Sequence, residues 1–227
     1  MQIGLLVFPN VQQLDLTGPY EVFALWPRAR VRLVAKTLDS VVSSTGLVLK
    51  PDESFEECPQ LDVVCVPGGA GINALLTDEA TIAFVRRQAE AARFVTSVCT
   101  GALLLGVAGL LKGKRATTHW ASHDLIRRLG AIPVRDRVVR DGKLVTGGGV
   151  TAGIDFALTL MVELAGREAA EAIALNLEYA PAPPFEAGSP ETAPAPVVQT
   201  VLKRLAPILE ERRRLADEAA KRLGLSE

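Results

Sequence analysis

Histidine is scarce in this chain, with two residues in 227, His119 and His123. They stand four apart without the intervening glutamate of H-E-x-x-H and without a third ligand, so no metal site is expected. His119 as a base for a cysteine stays open at this point. The three cysteines, Cys58, Cys65 and Cys99, are odd in number and have no C-x-x-C spacing. That excludes a disulfide framework and makes a reducing cytoplasm the expected location. No apolar run reaches the roughly 18 residues of a membrane span. The start, MQIGLLVFPN, lacks the basic residues that open a signal peptide. Neither sign of charge dominates: 25 basic and 26 acidic side chains leave a net charge of −1. An obligate nucleic-acid partner usually requires a basic face, so none is expected. The spacings G-x-G-x-x-G and G-x-x-x-x-G-K-[ST] are missing, which excludes the usual dinucleotide and phosphate loops. No cofactor is expected.

What remains is the balance of a soluble globular enzyme, 48% apolar and 22% charged. The length suits a single domain over residues 1–227. Short apolar runs alternate with helical spacing. Ile3 to Phe8, Val31 to Ala35, Leu61 to Val66 and Phe94 to Val98 read as strands, the third covered on both faces. Asp15 to Pro19 reads as a turn, with Thr17 capping a short helix from Tyr20 to Leu25. Residues 78–92 have helical spacing, with Ile82, Phe84, Val85 and Ala89 inward. A helix over Gly101 to Ala108, a short strand near Ala116, and a helix over His119 to Leu129 follow. Val138 to Val145 contains Asp141-Gly142 and reads as a type I′ hairpin. A helix is expected from about Thr151 to Ala165. The alternation predicts an α/β fold, a mostly parallel sheet with helices on both faces. Residues 180–196 are rich in Pro, Ala, Gly and Ser, and proline excludes a helix interior there. They read as an arm. Residues 197–223 resume helical spacing, and with seven basic and four acidic side chains between Lys203 and Arg222 they read as a solvated amphipathic helix.

The sharpest local feature is FVTSVCTGA, Phe94 to Ala102. A strand runs into one nucleophile, Cys99, and directly into a helix of small residues, the layout of a nucleophile elbow. A thiol facing a helix N-terminus is expected to have a lowered pKa. Cys65, inside an apolar run, and Cys58, before Pro59, read as inert. In open α/β sheets ligands collect outside the carboxyl ends of the strands. Four such ends carry polar or glycine-rich turns: Asp15, Pro67-Gly68-Gly69, Cys99-Thr100 and Gly147-Gly148-Gly149. Gly68, Gly69, Gly148 and Val150 form the candidate backbone pocket.

The elbow TSVCTGALLLG, the opening QQLDLTGPYEV, the turn VPGG, TGGGVTAGIDFAL and the Pro-rich EYAPAPPF together resemble the PfpI/ThiJ-type branch of the class I glutaminase-like superfamily. The resemblance covers nearly the whole chain. It implies a flavodoxin-like three-layer sandwich, a homodimer and a cysteine nucleophile at Cys99. Many superfamily members have a glutamate after the first strand and a histidine after the cysteine. This chain has Asp15 and Thr100 at those places, the pair expected in the isocyanide-hydrating branch. The implied activity is hydration of isocyanides to N-substituted formamides through a cysteine thioimidate. Asp15 would be the acid and base, and the Thr100 hydroxyl and the turn N–H groups would help orient the sulfur, without His119. Two alternatives attach to the same scaffold. One is the N-terminal sensor half of an AraC-like regulator, which would need a further helix-turn-helix pair. The other is a different cysteine hydrolase or a carbonyl-stress enzyme.

Overall fold

The computed structural model describes residues 1–225. In chain order the first half comprises β1 (Gln2–Leu6), α1 (Gln13–Ala24), β2 (Arg30–Ala35), β3 (Val41–Val42), β4 (Val48–Leu49), β5 (Glu53–Ser54), β6 (Val63–Val66), α2 (Ile72–Leu75), α3 (Glu79–Ala91), β7 (Phe94–Val98) and α4 (Gly101–Val107). The second half comprises β8 (Arg115–Ala116), a 3₁₀ turn (Trp120–Ser122), α5 (His123–Arg128), β9 (Ile132–Pro133), β10 (Val138–Asp141), β11 (Leu144–Gly147), α6 (Ala152–Ala165), α7 (Arg167–Asn176) and α8 (Ala195–Arg222).

Seven strands form one sheet in the order β10-β11-β7-β6-β1-β2-β5. All neighbours are parallel except β10 and β11. Because successive strand side chains point to opposite faces, the central runs feed two separate cores. Ile3, Leu5, Val63, Cys65 and Val98 pack with Leu16 and Phe23 of α1, Phe156 and Leu160 of α6, and Ile173 of α7. Leu6, Val64, Val66 and Val95 pack on the other side with Phe84 and Val85 of α3, Leu103 of α4, Ile126 of α5 and Ala216 of α8. The result is a three-layer sandwich with helices on both faces of a mostly parallel sheet.

Four local expectations change. Asp15 to Pro19 is not a turn but lies within α1, and Thr17 does not cap: its hydroxyl donates to Gln13 Oε1 at 2.9 Å. Pro19 removes one helical hydrogen bond. Tertiary packing compensates, because Gly18 and Pro19 are the flat patch on which Ile154 and Gly153 of α6 sit. The His119–Leu129 segment is a 3₁₀ turn followed by a short helix, so the two histidines do not share one helical face. In the β10–β11 hairpin the two loop residues are Gly142 and Lys143, and of these only Gly142 has positive φ, +64°. That is the II′ pattern rather than I′. Finally, α7 is a helix that the reading above leaves unassigned, and α8 begins at Ala195, inside the expected arm.

The topology positions the site. β1 and β6 are neighbours, yet β1 feeds α1 on one face while β6 feeds α2 and α3 on the other. The chain diverges between their carboxyl ends, and that crevice is where ligands gather in open α/β sheets. β7 ends beside it.

Candidate active site

Cys99 follows β7 without a spacer and has φ +55°, a left-handed conformation that L-residues other than glycine seldom adopt. Its backbone is fixed on both sides. The N–H donates to Gly148 O at 2.8 Å and Gly147 O at 3.1 Å, and the carbonyl accepts the Thr118 hydroxyl at 2.8 Å. α4 begins two residues later. A Cβ on Gly101 would lie 2.0 Å from Val66 O, so only glycine lets the elbow close against the end of β6. The strand-to-helix elbow expected at Cys99 is therefore present.

Asp15, in the first turn of α1, is fully buried. Its Oδ2 accepts the Gly68 N–H at 2.8 Å. Its Oδ1 is buried without a hydrogen-bond partner among the described residues. Burial raises the carboxyl from its ordinary acidic range to about 7, against opposing pulls from the Gly68 N–H and the Cys99 thiol. The thiol is also pushed up, first by burial and then by the negative charge of Asp15; the Thr100 N–H and Arg212 pull the other way. The expected low thiol pKa is thus overturned. Cys99 is only 5% exposed, and loss of hydration outweighs the field of the helix end. A buried carboxyl and a buried thiol that oppose each other's ionisation act as one proton-holding pair.

Thr100 sits beside this pair. Its hydroxyl accepts the Gly69 N–H at 3.1 Å, and its backbone N–H pulls the thiol pKa down. Gly68 is hemmed in: a Cβ there would lie 2.6 Å from both Thr100 N and Thr100 Oγ1, and 2.8 Å from Asp15 Oδ2. Asp15, Gly68, Gly69, Cys99 and Thr100 thus come from three strand ends to one place.

A cleft of about 520 Å³ opens nearby, lined by Thr118, His119, Trp120, Gly148, Val150 and Pro190, among others. Cys99, Asp15 and Thr100 are not part of its lining; the cleft adjoins the elbow through Gly148 and Thr118, both bonded to the Cys99 backbone. His119 is a wall of this cleft. Its Nδ1 accepts the Ala121 N–H at 3.3 Å, and burial, aided by the charge of Arg212, lowers its pKa to about 4. It is neutral at pH 7. His123 Nε2 pairs with Thr118 O at 3.2 Å. Among the described residues no three His, Cys, Asp or Glu side chains gather as a metal set.

Two residues absent from the expectations also reach the site. Arg212 of α8 contacts Gly69 O and Asn73 Oδ1. The signal for Arg212 was periodic: it lies three, four and seven residues before Leu215, Ala216 and Ala219, the buried stripe of α8. Asn73 gave no signal.

The sequence is 64% identical over 225 residues to the isonitrile hydratase of Pseudomonas putida, covering 99% of both chains. It is 32% identical over 187 residues to the HTH-type transcriptional regulator GbdR of Pseudomonas aeruginosa, covering 78% of this chain and 50% of the regulator. The crystal structure of a ThiJ/PfpI family protein from Pseudomonas syringae superposes with a TM-score of 0.93 at 44% identity, over 95% of this chain and 90% of the other. The DJ-1/PfpI family signature matches residues 1–163, which take in Asp15, the Gly68–Gly69 turn and the Cys99 elbow, and the chain belongs to that family.

Proposed function

We propose that the chain hydrates isocyanides to N-substituted formamides, with Cys99 as nucleophile and Asp15 as the proton donor and acceptor. The observation that carries the substrate class is the full-length likeness to isonitrile hydratase. The likeness to the regulator is 32% over 78% of this chain, against 64% over 99% for the hydratase, so the sensor reading is not favoured.

The chemistry follows from the proton-holding pair. The isocyanide carbon is electrophilic and apolar enough to enter a dry site. Cys99 sulfur bonds to that carbon as its proton passes to Asp15, and Asp15 hands a proton to the adduct carbon to give the thioimidate, S–CH=N–R. Asp15, raised to about 7, holds a proton for this step near neutrality. Its Oδ2 is pinned by Gly68, so Oδ1 is the oxygen from which the proton leaves. The carboxylate so formed then takes a proton from water. The hydroxide adds to the thioimidate carbon, Asp15 returns the proton to nitrogen, the C–S bond breaks, the hydroxyl proton restores the thiol through Asp15 and the formamide leaves. Acid–base assistance of this kind contributes about 10²- to 10⁴-fold when the pKa lies near the working pH. Thr100 holds the Gly68–Gly69 turn, and Gly148 and Val150 border the path of the R group.

The chain acts as a single domain and as a homodimer. The exposed apolar side chains Leu175, Phe185 and Val162 support a contact surface. Among the described residues no helix is long and apolar enough to cross a membrane, and the three cysteines are free. Both support a cytoplasmic location.

The test is a time course with p-nitrophenyl isocyanide and product identification by mass spectrometry, beside Cys99→Ala. Formation of the N-aryl formamide by the wild type and its loss in the variant are expected. Turnover retained in Cys99→Ala would refute the covalent route. Light scattering at about twice the chain mass of 24.2 kDa is expected for the dimer.

A further inference from the structure

Arg212 has an arrangement that the rest of α8 does not share. Its neighbour Arg214 lies at the surface, paired with Glu211 and Glu218. Arg212 points inward and is 5% exposed. Its Nε donates to Asn73 Oδ1 at 2.9 Å and an Nη donates to Gly69 O at 2.8 Å. Both partners are neutral. Among the described residues it makes no ion pair. A buried guanidinium without a counter-charge is strongly unfavourable unless something nearby becomes negative.

The carbonyl it holds belongs to the turn that organises the site. Gly69 donates its N–H to Thr100, and Gly68, one residue earlier, donates to Asp15. The titratable groups that feel the charge of Arg212 are the Cys99 thiol at the elbow and the His119 ring that caps the 3₁₀ turn; Asp15 acts on the same thiol. α2 presents the neutral Asn73, and the α5 cation Arg128 is paired with Asp217 at the surface. His119 is neutral above about pH 5. The charge that can offset Arg212 is therefore the one that the Asp15–Cys99 pair takes on.

We propose that Arg212 is a positioning residue of this site: it fixes the Gly68–Gly69 turn from behind, and its positive charge offsets the negative charge that develops on the pair when Cys99 sulfur attacks. This deepens the cysteine reading above and rests on it.

The test follows alkylation of Cys99 by iodoacetamide against pH, in a Cys58→Ser background, for wild type, Arg212→Lys and Arg212→Gln. It needs no isocyanide, so it stands apart from the reading of the reaction. Arg212→Gln is expected to move the midpoint alkaline by about one pH unit, which is about tenfold slower alkylation at a fixed pH below it. Arg212→Lys keeps the charge and is expected to hold the midpoint. An unmoved midpoint in folded Arg212→Gln overturns the proposal. If that variant does not fold, the ¹⁵Nε resonance of Arg212 in the unsubstituted protein decides. It should shift with the ionisation of Cys99 and lose that step after alkylation, and a shift that is flat with pH overturns the proposal. A moved midpoint in a protein that leaves isocyanides unchanged would keep the role of Arg212 and reject the proposed reaction.

Discussion

Asp15 and Gly68, 53 residues apart, are joined by a hydrogen bond that engages only one carboxyl oxygen, Oδ2 at 2.8 Å from the Gly68 N–H. The other oxygen is buried and unengaged among the described residues. This asymmetry separates a fixed end from a proton-carrying end within one side chain. It also makes the two consequences of removing the charge run in opposite directions.

Asp15→Asn keeps the size of the side chain and removes the acid. Turnover is expected to fall by about 10²-fold or more, since acid–base assistance is lost. Alkylation of Cys99 at neutral pH is expected to quicken, because the negative charge that pushes the thiol up is gone. Steady-state kinetics and mass-resolved alkylation of one preparation check both. If the two rates fell together, Asp15 would be placing the sulfur rather than moving a proton.

The same substitution has a thermal signature. The folded-state pKa of Asp15, about 7, lies above its ordinary value of 3.8. The native state therefore holds a proton that the unfolded chain releases, and stability falls as pH rises between those values. Across about three units at ~1.4 kcal/mol each, the loss approaches 4 kcal/mol. Asp15→Asn is spared it. The melting temperature of Asp15→Asn relative to wild type is expected to climb from pH 4 to pH 7.5, as scanning calorimetry would show. A constant difference across that range contradicts the raised carboxyl.

Gly68→Ala tests the crowding of the turn. The added carbon meets Thr100 backbone and Asp15 Oδ2 inside 3 Å, so the turn must move away from both. We expect a folded protein with activity down by on the order of 10²-fold, the cost of a displacement near 1 Å at a reacting centre. Near wild-type turnover would show that the turn has slack.

His119→Gln is expected to leave kcat within a few-fold of wild type. The ring is held neutral by burial and serves as a cleft wall, so the effect should appear in KM. A kcat loss comparable to that of Asp15→Asn would restore His119 as a base.

Among the cysteines, Cys65 is buried with its thiol pushed up to about 12, and Cys58 is pushed up to about 11, in both chiefly by burial. Cys58→Ser and Cys65→Ala are expected to retain formamide formation, which Cys99→Ala abolishes; the substrate assay above reads all three.

The elements that were legible in the sequence are those whose signal is local. Phe94 to Val98 reads as a strand because its β-prone residues stop at Cys99 and give way at once to small helix formers, and the elbow follows from that change. The interior of α3 reads from its spacing. Three features depended on distant partners. Gly18-Pro19 carries the composition of a turn, and only the facing Gly153 and Ile154 make it a helix contact. The Thr100 hydroxyl gave no local sign that it would accept the Gly69 N–H, 31 residues away in the chain. The field of the α4 terminus suggested an acidic thiol, but desolvation depends on how tightly the surrounding layers close, which no local pattern reports.

The positive φ of Cys99 has a consequence for selection. An L-residue in the left-handed region gives up roughly 1–2 kcal/mol that glycine would not. Replacing the nucleophile by glycine should therefore relax the bend and raise thermal stability while ending the chemistry. Screens of this protein for heat resistance alone would favour that loss, and only a screen that also demands turnover retains the strained thiol.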